Sequence, residues 1–267
     1  MFKVKNEGQR ATVYIYGTIG DDWWSPEDAN RAKDFARTLD ELSPKPLDIR
    51  IDSAGGDVYE GFAIAGAIQR YEGETHAYVD GLAASAASYI ALMADRVTMN
   101  DYSMLMVHNA WCVLAGNRDD LRDAADRLEA LDATIAGIIS ARSALDLEQA
   151  KEAMSAETWY SGEAALEAGV CDEVIETGER MAACVDRAIA GHFARIPDNV
   201  GISDGAGEPL PEIAPGQGEP AADARGGSPD GGASHAPSNL HGNEAKDADG
   251  AILLGNRVYR KENHGDQ

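Results

Sequence analysis

Residues 46–56 read PLDIRIDSAGG. Pro46–Ile51 has the composition of a strand, and it ends in Asp52-Ser53-Ala54-Gly55-Gly56, where a turn must follow. Val58–Tyr71 beyond it is helical in spacing. The next stretch repeats the pattern: Thr75–Val79 reads as a strand, Gly81 breaks it, and Ala84–Ala94 reads as a helix of small residues. Working outward, Ala11–Tyr16 (ATVYIY) is an earlier strand, and Arg96–Met99 and Met104–Val107 are later short ones. Pro26–Leu42 has helical spacing, with Ser25 as cap and Pro26 in the first helical position. Leu121–Arg142 is a long helix, with Leu121, Ala125, Leu128, Leu131, Ile135 and Ile138 on one face and Arg122, Asp123, Asp126, Arg127 and Glu129 on the other. Alternating strands and helices specify an α/β domain, and no internal repeat interrupts it.

The domain is expected over residues 1–195. From Ile196 to Gln267 the chain holds seven of its ten prolines and thirteen of its 28 glycines. Segments such as Gly201–Gly207 and Gly226–Gly232 cannot bury enough apolar surface to offset chain entropy. Residues 196–267 are therefore expected to be a disordered acidic Gly/Pro-rich tail. Ala251–Tyr259 (AILLGNRVY) is taken as the end of that tail, with a strand or docking peptide as the alternative.

The net charge is −23. Phosphate binding needs clustered Lys and Arg, so a nucleic-acid surface is not expected, nor docking on an anionic membrane. Three cysteines, Cys112, Cys171 and Cys184, have no metal-ligand spacing and form no disulfide framework. They are expected to be small buried apolar residues. No secretory signal opens the chain and no stretch approaches the ~20 apolar residues of a membrane span. The expected location is cytoplasmic.

Four segments can carry chemistry. Gly55-Gly56, at the end of a strand and the start of a helix, can present main-chain N–H groups to a developing oxyanion; an ordinary tight turn explains the same residues. Ser85 lies in Gly81-Leu82-Ala83-Ala84-Ser85-Ala86-Ala87-Ser88, a strand-to-helix turn with no bulky neighbour to block a substrate. The competing explanation is a helix packed through small residues, and the motif is not the Gly-x-Ser-x-Gly elbow. His108 follows the apolar run Met104–Val107 and can act as base and acid; a structural histidine is the alternative. Glu157, in Glu157-Thr158-Trp159-Tyr160-Ser161, can orient an imidazole, or be one more solvated charge. The six histidines form no His-Glu-x-x-His pattern.

Taken as an ordered set, Ser53-Ala54-Gly55-Gly56, Gly81-x-Ala83-Ala84-Ser85, His108, Glu157-Thr158-Trp159-Tyr160-Ser161 and Ala165–Asp172 resemble the Clp proteolytic-subunit (ClpP-like) serine protease family over about residues 11–176. The resemblance implies a crotonase-like α/β superfold of repeated ββα units. It implies Ser85 as nucleophile, His108 as general base and acid, Glu157 as third member, and the N–H groups of Gly56 and Ala86 as oxyanion hole. It implies a ring homo-oligomer, heptamer or tetradecamer, meeting through the Leu121–Arg142 helix, and no cofactor or metal. The family usually has Asp at the third position, so Glu157 keeps the carboxylate on a longer arm. Asp172 falls on the family's closing Asp and is expected to be structural. The short N-terminal region leaves a Clp-type ATPase partner unassured. Trp23-Trp24 and Glu157-Thr158-Trp159 are most similar to head-maturation proteases of tailed phages and prophages. That kinship implies scaffold or capsid protein as substrate and the host cytoplasm or procapsid as location.

Other assignments remain open on sequence. A crotonase-type acyl-CoA enzyme shares the Gly-Gly oxyanion hole but needs no Ser-His pair. A signal-peptide-peptidase relative needs a Ser-Lys dyad, and Lys151 is the only lysine between Lys45 and Lys246. A catalytically silent ring or scaffold subunit needs only the long helix and the tail.

Overall fold

The structure is a computed structural model that describes residues 3–21, 29–42, 44–176, 183–191, 193–203, 251–254 and 257–260. Strands β1 (Lys3–Glu7) and β2 (Arg10–Tyr16) form an antiparallel hairpin. Then α1 (Ala32–Leu42), β3 (Leu47–Ser53), α2 (Val58–Gln69), β4 (Thr75–Ala84), α3 (Ala86–Leu92) and β5 (Arg96–Asn100) follow in strict alternation. β2, β3, β4 and β5 lie side by side and parallel, as helical crossovers require. The second half adds β6 (Met104–Val107), β7 (Cys112–Leu114), the long α4 (Arg118–Arg142), α5 (Leu147–Ser155), β8 (Thr158–Ser161), α6 (Gly162–Glu167) and β9 (Glu173–Ile175). β9 closes the sheet beside β5.

Every second residue of β2 and β3 is buried: Ala11, Val13 and Ile15, then Leu47, Ile49 and Ile51. Helices α1 and α2 cover them with Phe35, Leu39, Ile64 and Ile68, each at most 3% exposed. Full burial of one such side chain stabilises by about 1.5–3 kcal/mol, and this layer is the main core. The opposite face is polar. Tyr16 and Arg50 both engage Asp80 there, and Arg10 pairs with Asp48.

β4 changes partners along its ten residues. His76–Val79 pair with β5, whereas Leu82–Ala84 pair with β6. The β3–β4 register shifts between Ile51 and Ser53, and Asp52 Oδ1 accepts the Leu82 N–H at the bend. β8 then runs antiparallel to β6. Beyond it, β10 (Cys184–Asp186), α7 (Arg187–Ala190) and β11 (Gly201–Ser203) form a cover, with β10 and β11 parallel. Leu82, Ala84, Met104 and Met106 make a second apolar cluster with Ala183, Val185 and Val200, against which Ala54, Trp159, Phe193 and Ile196 pack.

Three expectations change. Packed structure runs on to Ser203, past the expected boundary at residue 195, because Ile196 and Val200 have an apolar surface to land on. Ala251–Leu254 (β12) and Arg257–Arg260 (β13) form a hairpin, and β12 adds antiparallel to β7, so the final patch is strand rather than frayed tail end. Cys171 is buried, but Cys112 and Cys184 are only partly so. Ser25, Pro26 and the Trp23-Trp24 pair lie outside the described residues, as do residues 204–250 of the expected tail. Among the described residues, no helix is long and apolar enough to cross a membrane.

Candidate active site

Register alone brings three side chains to one end of three neighbouring strands. Ala84 pairs with Met106 in the parallel β4–β6 ladder, and Val107 pairs with Thr158 in the antiparallel β6–β8 ladder. One step further along each strand stand Ser85, His108 and Glu157. The Ser85 N–H donates to Met106 O at 3.0 Å, which ties the serine turn to the histidine strand. Ser88 closes the turn, donating to Ser85 O from its amide at 3.0 Å and from its hydroxyl at 2.6 Å.

Ser85 holds φ 54° and ψ −123°. Among the described residues, Ser85 and Glu157 (φ 51°) are the two non-glycine residues at positive φ. Such backbone costs about 1–3 kcal/mol and persists where surrounding bonds impose it. Here the turn aims the hydroxyl outward: Ser85 Oγ and His108 Nε2 are 2.8 Å apart. Burial pushes the His108 imidazole below its ordinary range, and the Glu157 charge opposes that shift. The ring is thus neutral at neutral pH, the form that accepts a proton.

Gly55 and Gly56 hold φ 97° and 150°. A Cβ on Gly55 would sit 2.7 Å from Ser85 Cβ, and one on Gly56 would sit 2.0 Å from Ile19 O. The turn is threaded between Ser85 and Ile19, and Ile19 fixes it by bonding Gly55 O and the Asp57 N–H at 2.9 Å each. Among the described residues, the N–H groups of Gly56 and Ala86 donate to no acceptor. Both border the same pocket as Ser85 and His108, a small cavity of about 30 Å³ with Val58, Tyr89, Leu131 and Ile135 on its apolar side. Gly61 makes room for Tyr89, whose hydroxyl would lie 2.2 Å from a Cβ there and instead donates to Val58 O at 3.0 Å. Asp132 of α4 accepts the Ala110 N–H at 2.7 Å and so anchors the loop after His108.

Glu157 stands beside this pair, but its carboxylate bonds run elsewhere. Oε2 accepts the Ala194 N–H at 2.8 Å, and Oε1 accepts the Arg195 N–H at 2.7 Å and Trp159 Nε1 at 3.5 Å. No hydrogen bond joins it to His108. Asp172 is bound into β5 through the Val97 amide at 2.7 Å, a structural position. Sequence reasoning missed Trp111 at the pocket, Asp132 and the Phe193–Arg195 segment. The apolar residues that continue through Val185, Phe193 and Ile196 were the available signal for the last.

A family model described as Clp protease matches residues 25–178, more than half of the chain. The chain belongs to the Clp protease family. Among curated relatives, it is 28% identical over 171 residues to an ATP-dependent Clp protease proteolytic subunit of Porphyromonas gingivalis, covering 63% of this chain and 75% of that one. It is 28% identical over 153 residues to an ATP-dependent Clp protease proteolytic subunit 1 of Prochlorococcus marinus, covering 56% and 78%. Among solved structures it is similar to a mutant of ClpP1 from Listeria monocytogenes, with a TM-score of 0.53, 26% identity, and 62% of this chain and 91% of that one covered. As a Clp protease family member, the chain has the family's α/β fold. The cover that starts at Ala183 lies past the matched region.

Proposed function

We propose that this chain is a serine endopeptidase that works through an acyl-enzyme, with Ser85 as nucleophile, His108 as base and acid, and Glu157 as the carboxylate that stabilises the imidazolium. The carrying observation is the 2.8 Å approach of Ser85 Oγ to the half-buried His108 imidazole, beside two undonated amides. Ser85 Oγ adds to the scissile carbonyl as His108 Nε2 takes its proton. The N–H groups of Gly56 and Ala86 receive the oxyanion. His108 then passes the proton to the departing amine, and water, deprotonated by the same nitrogen, releases the acyl group. The wall of Val58, Tyr89, Leu131 and Ile135 gives an apolar lining that suits an apolar side chain on the acyl side of the cut bond.

The finer reading is a homo-oligomeric ring, as the family implies, that trims scaffold or capsid protein as a phage head-maturation protease. Its supports are the Glu157-Thr158-Trp159 and Trp23-Trp24 segments and the long acidic C-terminal region. A crotonase-type kinship is part of the same reading. The test is fluorophosphonate labelling of the purified chain beside Ser85→Ala and His108→Ala, with the adduct placed by mass spectrometry and the assembly sized by light scattering. An adduct on Ser85, lost in both variants, supports the reading. No adduct on a confirmed oligomer overturns it in favour of a silent subunit.

A further inference from the structure

The Glu157 carboxylate is held from outside the matched family region. Both of its oxygens accept main-chain N–H groups of consecutive residues, Ala194 and Arg195, at 2.8 and 2.7 Å. Next to them, Phe193 packs edge-on against Trp159 with ring centroids 5.5 Å apart, and tilts over His108 at 6.0 Å. Phe193 and Ile196 are seated on the second apolar cluster, formed by β4, β6 and the cover, so the segment is anchored on both sides of the two amides.

We propose that Phe193–Arg195 is a positioning strap for the catalytic carboxylate: the Ala194 and Arg195 amides fix Glu157 beside His108, and Phe193 shields the imidazole from water. This inference rests on the proposed role of Glu157. A glutamate has one more rotor than the aspartate usual at this place, and freezing such a long side chain costs rotamer entropy. Two charge-assisted hydrogen bonds offset that cost. The strap thus supplies what the longer arm lacks. It also leaves the carboxylate near enough for its charge to favour the imidazolium. The alternative, a latch that holds Glu157 away from the site, predicts the opposite kinetic response.

Proline has no N–H, so Ala194→Pro and Arg195→Pro each delete one donor and leave the Glu157 side chain intact. Full-length wild type, the two variants, Glu157→Gln and the Ala194→Pro/Glu157→Gln double variant are compared on a fluorogenic peptide with leucine before the scissile bond, with circular dichroism and melting as fold controls. The strap requires Ala194→Pro to lower kcat about tenfold or more with KM within about twofold. It requires the acid limb of kcat/KM to move to lower pH, since the Glu157 charge no longer stays near the ring. Of the other groups around His108, Asn109 and Ser155 are neutral and Asp132 is taken up by the Ala110 amide. In the Glu157→Gln background the same proline has little further effect, because the two changes act through one contact.

An equal proline loss in that background would make the strap merely structural, and a rise in kcat would establish the latch; either overturns the inference. Should the proline variants not fold, Glu157→Asp decides. Its carboxylate is one methylene short of the strap, so kcat must fall, and activity equal to wild type refutes the strap. A wild type inert to both peptide and fluorophosphonate brings down the proposed function itself, and the strap with it.

Discussion

Replacing Gly56 by alanine adds one methyl group where the backbone has least room for it. The new Cβ would stand 2.0 Å from Ile19 O, whereas carbon and carbonyl oxygen rest at roughly 3.3 Å even in close contacts. Relief therefore needs more than about 1 Å of movement. Ile19 and the turn are tied to each other by the bonds to Gly55 O and from the Asp57 N–H, so relief strains or breaks these bonds and displaces the undonated Gly56 amide. A 1 Å misplacement of a catalytic group costs about a hundredfold, the same scale as losing one oxyanion donor. The expected outcome is a kcat at least about a hundredfold lower, with KM little changed, measured on a leucyl fluorogenic peptide. Stability should fall by about 2–4 kcal/mol from strain and overlap together, read by urea unfolding. Gly8→Ala is the control: it also imposes a left-handed backbone (φ 62°), but its Cβ meets nothing within 4 Å. It should cost about 1 kcal/mol or slightly more and no activity. A Gly56→Ala protein with wild-type kcat would falsify the assignment of that amide to the oxyanion.

Burial lowers the His108 proton affinity and Glu157 raises it in part; since the base must be neutral, kcat/KM should stay level as pH falls through about 6.5 and drop only below. Glu157→Gln should move that acid limb lower still, and a wild-type limb above the ordinary histidine range would contradict the assignment. Ile135→Trp fills the apolar side of the pocket, so hydrolysis after leucine should fall at least about tenfold relative to hydrolysis after alanine in paired peptides. The Arg142 guanidinium donates to Leu92 O and Ala94 O at the end of α3. Arg142→Ala should therefore cost about 1–3 kcal/mol by urea unfolding, whereas Arg118→Ala, on the exposed first turn of the same helix, should leave the midpoint unchanged.

The strand-turn-helix units around Gly55-Gly56 and Ser85 were legible because their signals are local: an apolar run, a glycine or small residue, then helical spacing. The helix expected from Ala84 starts at Ala86, since Ala83 and Ala84 pair with β6 and extend β4 instead. In α4, Leu121 is half exposed while Leu131, Ile135 and Ile139 are buried, because most of the covered face lies in the second half of the helix. Periodicity records an apolar stripe and is silent on how much of it is covered. The approach of Ser85 to His108 follows from strand register, a long-range property that no window of sequence contains. The grip of Ala194 and Arg195 on Glu157 was less visible still. It uses main-chain N–H groups, which carry no residue signature, and it spans 37 and 38 positions.

The backbone at Ser85 sets durability against turnover. Glycine occupies φ 54° and ψ −123° without the penalty a Cβ brings, so Ser85→Gly removes the proposed nucleophile and should stabilise the fold by about 1 kcal/mol. Heat alone would then favour the dead copy. Wherever such a chain persists only as an architectural part, drift has a downhill route away from chemistry, and its first step is expected at the nucleophile itself. A serine retained at position 85 across a population of these chains would record continuing selection for hydrolysis.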